Sequence, residues 1–118
     1  GAQHLLTFLT QIVASQDNTI LLEEPEKALH ASMQIKLAKL FSETSKNNQL
    51  IIETHSENLL YGLLKEIRDK NISKEEIKII YVYMENGESK IDELELNDKG
   101  GFKSKWRDGF FTEKVDLL

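Results

Sequence analysis

Polar side chains that could bind a metal ion or move a proton follow two short apolar segments. Residues 19–22 are followed by Glu23 and Glu24, and residues 49–52 lead to His55. One carboxylate could hold Mg²⁺, which takes one or two such groups together with phosphate oxygens. The other could orient a water molecule, and the histidine could donate a hydrogen bond to charge developing on a phosphoryl group. These residue types therefore indicate phosphoryl chemistry.

The two apolar segments must position these groups. The run at residues 19–22 is typical of a strand buried on both faces of a parallel sheet, and residues 49–54 are a second short strand candidate. Pro25 cannot continue a central strand, so the first strand ends at Glu23 or Glu24. Because ligands bind at the carboxyl ends of parallel strands, Glu23, Glu24 and His55 are expected to converge there.

Helical patterns separate the strands. Apolar stripes at helical spacing predict helices over residues 4–14 and 31–44, and a third after Ser56, a plausible N-cap. Residues 73–76 fit a capping box. Strands that alternate with helices predict a parallel α/β sheet.

The C-terminal part has a different pattern. Residues 77–84 are rich in β-branched and aromatic residues, which predicts a third strand. Asn86-Gly87 predicts a hairpin turn to a strand over residues 90–96, followed by an irregular tail. Three parallel strands would form a thin sheet with an open apolar edge, so we expect further strands to precede Gly1. The predicted fold is a partial parallel sheet with flanking helices, ending in a β-hairpin and tail.

Composition excludes several classes of protein. The 118 residues include no cysteine, so neither a disulfide framework nor a thiolate metal site is available. The net charge of −5 does not suggest a free-standing nucleic-acid binder. No apolar run approaches the ~20 residues that span a bilayer. We expect a cytoplasmic protein without a membrane partner.

The stretch LLEEPEKALH, residues 21–30, resembles the Walker B and D-loop segment of ABC-type ATPases, and Thr54-His55 resembles their switch histidine. The resemblance implies that Glu23 helps to hold Mg²⁺, although most of these ATPases have Asp there. It implies that Glu24 is the catalytic carboxylate that positions water, and that His55 contacts the γ-phosphate of ATP. The implied cofactors are therefore ATP and Mg²⁺.

The same resemblance implies a partner. Ala28, Leu29 and His30 would form the D-loop at a dimer interface, so the full protein is expected to be a homodimer with ATP between its subunits. For His30, a polar residue at a helix N-terminus is an alternative explanation.

A closer resemblance is to the OLD, RecF and SMC-like branch, through Glu24-Pro25-Glu26, Leu29-His30 and Thr54-His55-Ser56. The tail, with Gly101-Phe102 and residues 106–111 (WRDGFF), resembles a C-terminal domain of unknown function in AAA-type ATPases that carries Trp-x-x-Gly-Phe-Phe. Arg107 stands where that pattern usually has Pro. By analogy, DNA maintenance or phage defence is the expected context, and DNA is a possible partner.

A phosphate-binding loop is missing from the sequence. None of the six glycines is followed by Lys, so there is no Walker A motif. We therefore expect the C-terminal half of a nucleotide-binding domain, inactive alone. Residues 1–84 would carry the Walker B, D-loop and switch-histidine portion, and residues 85–118 the hairpin and tail. The partner would be the missing N-terminal half or a subunit with a Walker A motif.

Other interpretations stay open. The chain could be a truncated, non-catalytic module that pairs with an ATPase subunit, and Glu23-Glu24 could be a solvated strand end. A zinc site from His30, His55 and the glutamates lacks the H-E-x-x-H spacing. The basic residues around Trp106 could contact nucleic acid or belong to a tail with one buried Trp. They are Lys99, Lys103, Lys105 and Arg107.

Overall fold

The computed structural model describes residues 10–12, 14, 16–27 and 29–103, which form an α/β fold. The elements in chain order are β1 (Thr19–Glu23), α1 (Ala31–Thr44), β2 (Gln49–Glu53), α2 (Glu57–Arg68), a 3₁₀ turn (Lys74–Glu76), β3 (Ile79–Glu85) and β4 (Glu88–Leu94). Residues 10–12 and 14, the described part of the predicted first helix, are helical. The predicted fold class, a small parallel sheet with helices and a final hairpin, is confirmed.

The chain divides into two compact units, Gly1–Leu63 and Leu64–Leu118. The predicted boundary between residues 84 and 85 divides the Walker B, D-loop and switch-histidine portion from the hairpin and tail. It does not coincide with the boundary of the compact units, and it stays a prediction. No helix within the described ranges is long and apolar enough to cross a membrane.

The first unit is built on a parallel pair of strands. β1 and β2 align residue for residue, from Thr19 opposite Gln49 to Glu23 opposite Glu53. The Glu24 N–H donates to the Glu53 carbonyl oxygen at 2.8 Å, which extends the ladder one residue beyond β1. The carboxyl ends of both strands therefore lie at the same edge of the sheet, as the alternating strands and helices predicted.

Helices cover one face of this sheet. The buried cluster takes residues from the first helical segment, α1 and α2, and it packs against inward-facing residues of both strands. Its members are Ile12, Leu37, Ala38, Phe41 and Leu59, and the strand residues against it are Leu22, Leu50 and Ile52. Burial of these side chains is what holds the strands and helices together, since apolar area removed from water is the main favourable term in folding.

The opposite face of the sheet is open in the described part of the chain. Leu21 is 72% exposed and Ile51 is 52% exposed. The prediction that the first strand is buried on both faces is therefore wrong in the described chain. The apolar run reflects two different surroundings, because alternate residues of a strand point to opposite sides and only one side meets helices.

The start of α2 agrees with the sequence. The Ser56 hydroxyl oxygen accepts the Leu59 N–H at 3.0 Å, so Ser56 is the N-cap that was predicted. Further along, α2 packs closely on α1 at Gly62. A Cβ atom on Gly62 would lie 2.5 Å from the Ala38 Cβ. The two helices can therefore come this close only because glycine has no side chain.

The second unit contains the predicted hairpin. β3 and β4 are antiparallel, from Ile79 opposite Leu94 to Glu85 opposite Glu88. The turn residues Asn86 and Gly87 have φ angles of +53° and +78°, both positive as a type I′ turn requires. The hairpin is confirmed, with β3 starting two residues later and β4 ending two residues earlier than predicted.

β3 does not join the parallel strands. The described strands form two separate two-stranded sheets, β1 with β2 and β3 with β4. The expectation of three parallel strands is wrong for the described strands, since β3 pairs antiparallel with β4 across the two-residue turn and not with β1 or β2.

The capping box predicted at residues 73–76 does not form. Ser73 precedes the 3₁₀ turn, but its side chain makes no capping hydrogen bond. The turn ends after three residues because Ile77 is already extended, with φ −126° and ψ 137°. The β-branched run that follows favours that extended backbone.

Candidate functional site

The acidic turn after β1 has an unusual backbone. Glu23 ends the strand with an exposed side chain. Glu24 has a φ angle of +45°, in the left-handed region, and its side chain is 37% exposed. For a residue with a Cβ atom this conformation costs roughly 1–2 kcal/mol. Asp17, Lys70 and Asn86 have positive φ angles as well, so it is the side chains around Glu24 that make it a candidate functional residue.

Glu24 and His55 lie together. The His55 Nε2 is 3.7 Å from the Glu24 Oε1, and the His55 side chain is 75% exposed. The sequence predicted that Glu23, Glu24 and His55 converge at one edge of the sheet, and the structure brings Glu24 and His55 together there, while Glu23 lies opposite Glu53. An exposed pair of this kind contributes little to stability. What it offers is a carboxylate and an imidazole N–H facing solvent side by side.

A second acidic pair lies on the open face. Glu23 and Glu53 are register partners at the ends of β1 and β2, and both are exposed. The sequence analysis did not single out Glu53, because only the strand register brings it beside Glu23. Neighbouring like charges repel each other, and a bound cation would relieve this repulsion.

The His, Asp and Glu side chains of the described chain limit which metal ion could bind. Within the described ranges, no group of three or more His, Asp or Glu residues could hold a metal ion. A zinc site needs such a group, so the described residues do not support the zinc alternative. Mg²⁺ needs only one or two carboxylates when phosphate oxygens and water complete its coordination. Glu23 at an exposed strand end therefore fits a Mg²⁺ ion that arrives with a nucleotide.

A buried carboxylate lies behind the exposed pair. Glu26 is only 7% exposed. Its Oε1 accepts the Thr54 hydroxyl at 2.6 Å and the His55 N–H at 3.2 Å. The Thr54 hydroxyl oxygen in turn accepts the Ser56 N–H at 3.0 Å. These bonds join the turn after β1 to the turn after β2.

Gln34 of α1 forms a second link between the two turns. Its Nε2 donates to the Leu29 carbonyl oxygen at 3.0 Å, and its Oε1 accepts the Ser56 hydroxyl at 2.6 Å. Nothing in the sequence marked Gln34, since a glutamine within a helix is usually a solvated residue. Its role becomes visible only when α1 is placed against the start of α2.

The predicted D-loop residues have different surroundings. Leu29 is half-buried and packs against the core cluster of the first unit. His30 is exposed, has an extended backbone with φ −67° and ψ 155°, and is the N-cap of α1 without a side-chain capping bond. Ala28 lies outside the described residues. Residues 104–118, with the predicted WRDGFF motif, also lie outside them.

Neither of two surface depressions of the described chain is lined by Glu24 or His55. Both depressions are open and lie in the second unit, one between Ile67 and Asp98 and one between Lys74 and Lys103. Small-molecule sites are usually concave. The exposed Glu24 and His55 side chains do not by themselves enclose a ligand.

Comparison with known proteins identifies the family of the chain. The AAA ATPase domain family matches residues 1–60, just over half of the chain, and this chain belongs to that family. The matched part contains both turns of the candidate site. The family implies ATP binding, generally with Mg²⁺, so the predicted ATPase class is confirmed.

A solved structure is also similar. It comes from work on the structural biochemistry of ATP-driven dimerization and DNA-stimulated activation of SMC ATPases. The TM-score is 0.56 and the identity 25%, over 80% of this chain and 53% of the other. This chain thus spans about half the length of that relative. A comparison with curated proteins gave no match.

Proposed function

We propose that this chain provides the hydrolytic edge of an ATPase site and is the C-terminal half of an ABC-type nucleotide-binding domain. The observation that carries the proposal is the Glu24 carboxylate, held in a left-handed turn after β1, 3.7 Å from the His55 imidazole. A carboxylate and a histidine at the ends of adjacent parallel strands suit an in-line attack on a phosphoryl group.

Three observations support the half-domain part of the proposal. The 118 residues contain no Gly-x-x-x-x-Gly-Lys loop. The sheet face with Leu21 and Ile51 is uncovered in the described chain, and the chain spans 53% of its solved relative. We propose that the phosphate-binding loop and the cover for this face come from an N-terminal half or a partner subunit.

The residues of this chain would divide the work of hydrolysis. Bound Mg-ATP supplies the electrophilic γ-phosphoryl group and the cation that offsets its charge. Glu23 holds the cation, directly or through water. Glu24 accepts a hydrogen bond from the attacking water and so orients it. His55 donates from its imidazole N–H to the charge that develops on the transferring group.

A dimer would complete the site. We propose that the D-loop residues Ala28, Leu29 and His30 face a second subunit across the nucleotide. The exposed His30 imidazole supports this, because helix capping does not occupy it. The SMC ATPases of the similar structure undergo ATP-driven dimerization and DNA-stimulated activation. A role in DNA maintenance or phage defence is proposed for this chain by analogy.

The test of this function is Glu24→Gln with the P-loop half present. The amide keeps the shape but orients water poorly, so hydrolysis should fall by about 10²–10⁴-fold while ATP stays bound. Steady-state phosphate release and retention of labelled ATP measure the two effects. The control is Glu43→Gln, an exposed α1 residue, which should hydrolyse ATP at the wild-type rate. Unchanged turnover in Glu24→Gln would remove Glu24 from the mechanism.

A calorimetric titration of Mg-ATP into the 118-residue chain tests the half-domain part. We expect no detectable heat, because the groups that grip the β- and γ-phosphates are not in this sequence. Micromolar binding that disappears in Glu23→Ala or His55→Ala would mean that the site is complete without a P-loop.

The uncovered face with Leu21 and Ile51 also favours a second candidate, a non-catalytic module that pairs with an ATPase subunit. In that case Glu24→Gln would leave turnover of the assembled protein unchanged, while the chain would still bind its partner.

A further inference from the structure

Glu26 is a buried ionisable group that the mechanism above does not use. It lies two residues after Glu24, in the same turn, and is 7% exposed. Glutamate is almost never fully buried unless it is paired. The partners of its carboxylate therefore indicate what it does.

One carboxylate oxygen holds two consecutive residues of the opposite turn. The Oε1 accepts the Thr54 hydroxyl at 2.6 Å and the His55 backbone N–H at 3.2 Å. Hydrogen bonds to a charged acceptor are about twice as strong as neutral ones. The backbone at His55 is thus fixed from the β1 side of the sheet edge.

The other carboxylate oxygen of Glu26 accepts no hydrogen bond in the described structure. This atom, Oε2, is buried. An unsatisfied buried acceptor carries a desolvation penalty, so this carboxylate is a poor choice if stability is its purpose. The two bonds at Oε1 are what offset that penalty.

We propose that Glu26 is a positioning residue for His55. The His55 side chain is 75% exposed and approaches Glu24 at 3.7 Å, so little besides its own backbone directs it. Glu26 fixes that backbone while sitting on the same turn as Glu24. It thereby sets the spacing between the two groups proposed to act on water and phosphate. The hydrogen bonds of Glu26 are independent of the proposed function, but their consequence for hydrolysis rests on it.

The first experiment measures the His55 amide in the 118-residue chain. In Glu26→Ala the N–H loses its acceptor, so its hydrogen exchange should accelerate about tenfold or more relative to amides in the middle of α1. Its amide proton resonance should also move upfield. Glu26→Gln keeps an acceptor at the same reach and should recover much of the protection. Glu26→Asp is one methylene shorter and should recover less.

The control is Glu66, which is equally buried at 8% exposed and accepts the Asn71 side-chain N–H at 2.6 Å. Glu66→Ala should lower stability but leave the His55 amide unchanged relative to the α1 amides. If Glu26→Ala leaves the His55 amide unchanged, or if Glu66→Ala shifts it equally, the positioning role is overturned.

The second experiment measures hydrolysis with the P-loop half present. Glu26→Ala should lower kcat at least tenfold with KM for ATP little changed, and Glu26→Gln should restore most of kcat. If Glu26→Asp restores kcat better than Glu26→Gln, the length of the side chain does not decide the effect, and the positioning role is overturned. If Glu24→Gln leaves turnover unchanged while the His55 amide still responds to Glu26→Ala, the proposed function fails and the positioning geometry stands.

Discussion

Glu24 combines a proposed chemical role with a backbone conformation that its residue type disfavours. The φ angle of +45° turns the chain out of β1 and into the turn, where the Lys27 N–H donates to the Glu24 carbonyl oxygen at 3.1 Å. Glycine would adopt this conformation without penalty but would supply no carboxylate. The strain is thus the consequence of having an acid at this point of the turn.

This strain predicts an order of stability. Glu24→Gly and Glu24→Ala both remove the carboxylate, but only Ala keeps the unfavourable Cβ, so the Gly variant should be more stable by about 1 kcal/mol. Urea unfolding of the 118-residue chain measures the difference. At Lys36, exposed in α1, the order should reverse, because Gly in a helix costs about 1 kcal/mol relative to Ala. Equal stabilities at position 24 would mean that its backbone is not left-handed.

Single residues differ in how far the sequence predicts them. Glu24 and His55 could be predicted to meet, since both lie within two residues of a strand end and parallel strands end at one edge. Glu26 and Gln34 could not be assigned their roles in this way. Burial and partner identity decide those roles, and both depend on how α1 and the two turns pack.

At the scale of elements, the contact between α1 and α2 depends on Gly62. A Cβ there would lie 2.5 Å from the Ala38 Cβ and 3.0 Å from the Ile35 carbonyl oxygen. Gly62→Ala should therefore destabilise the chain by roughly 1–3 kcal/mol through overpacking. This exceeds the gain of about 1 kcal/mol expected from helix propensity.

Adding Ala38→Gly tests whether the Ala38 Cβ causes the clash. In a double-mutant cycle by urea unfolding, the loss from Gly62→Ala should shrink when Ala38 is glycine. Gly87→Ala serves as the comparison, because its site is open but has a φ angle of +78°. Its loss of roughly 1–2 kcal/mol should not depend on residue 38. A Gly62 loss that is the same with either residue at 38 would contradict the close-packing argument.

At the scale of the molecule, the open face of the parallel sheet provides a test of the proposed half-domain. In the 118-residue chain, Leu21→Thr with Ile51→Thr should change the free energy of unfolding by less than about 1 kcal/mol, because both side chains are largely exposed. With the P-loop half present, we expect a loss of roughly 1.5–3 kcal/mol for each side chain that the partner covers.

Leu22→Thr is the matched control in the same strand, because Leu22 packs against the core cluster. It should be clearly destabilising in both contexts, as measured by thermal unfolding. If the Leu21 and Ile51 pair behaves identically with and without the P-loop half, that half does not cover this face.

The sequence by itself determined the local elements and their order. Helical spacing of apolar residues defined α1, the Asn86-Gly87 pair defined the hairpin, and Ser56 defined the start of α2, because each signal acts through neighbours in the chain. It also placed an acid and a histidine at strand ends. Only the tertiary structure decided which faces are buried, which strands share a sheet, and that Glu26 lies buried against Thr54 and His55. Those outcomes depend on contacts between residues distant in sequence, which no local pattern encodes.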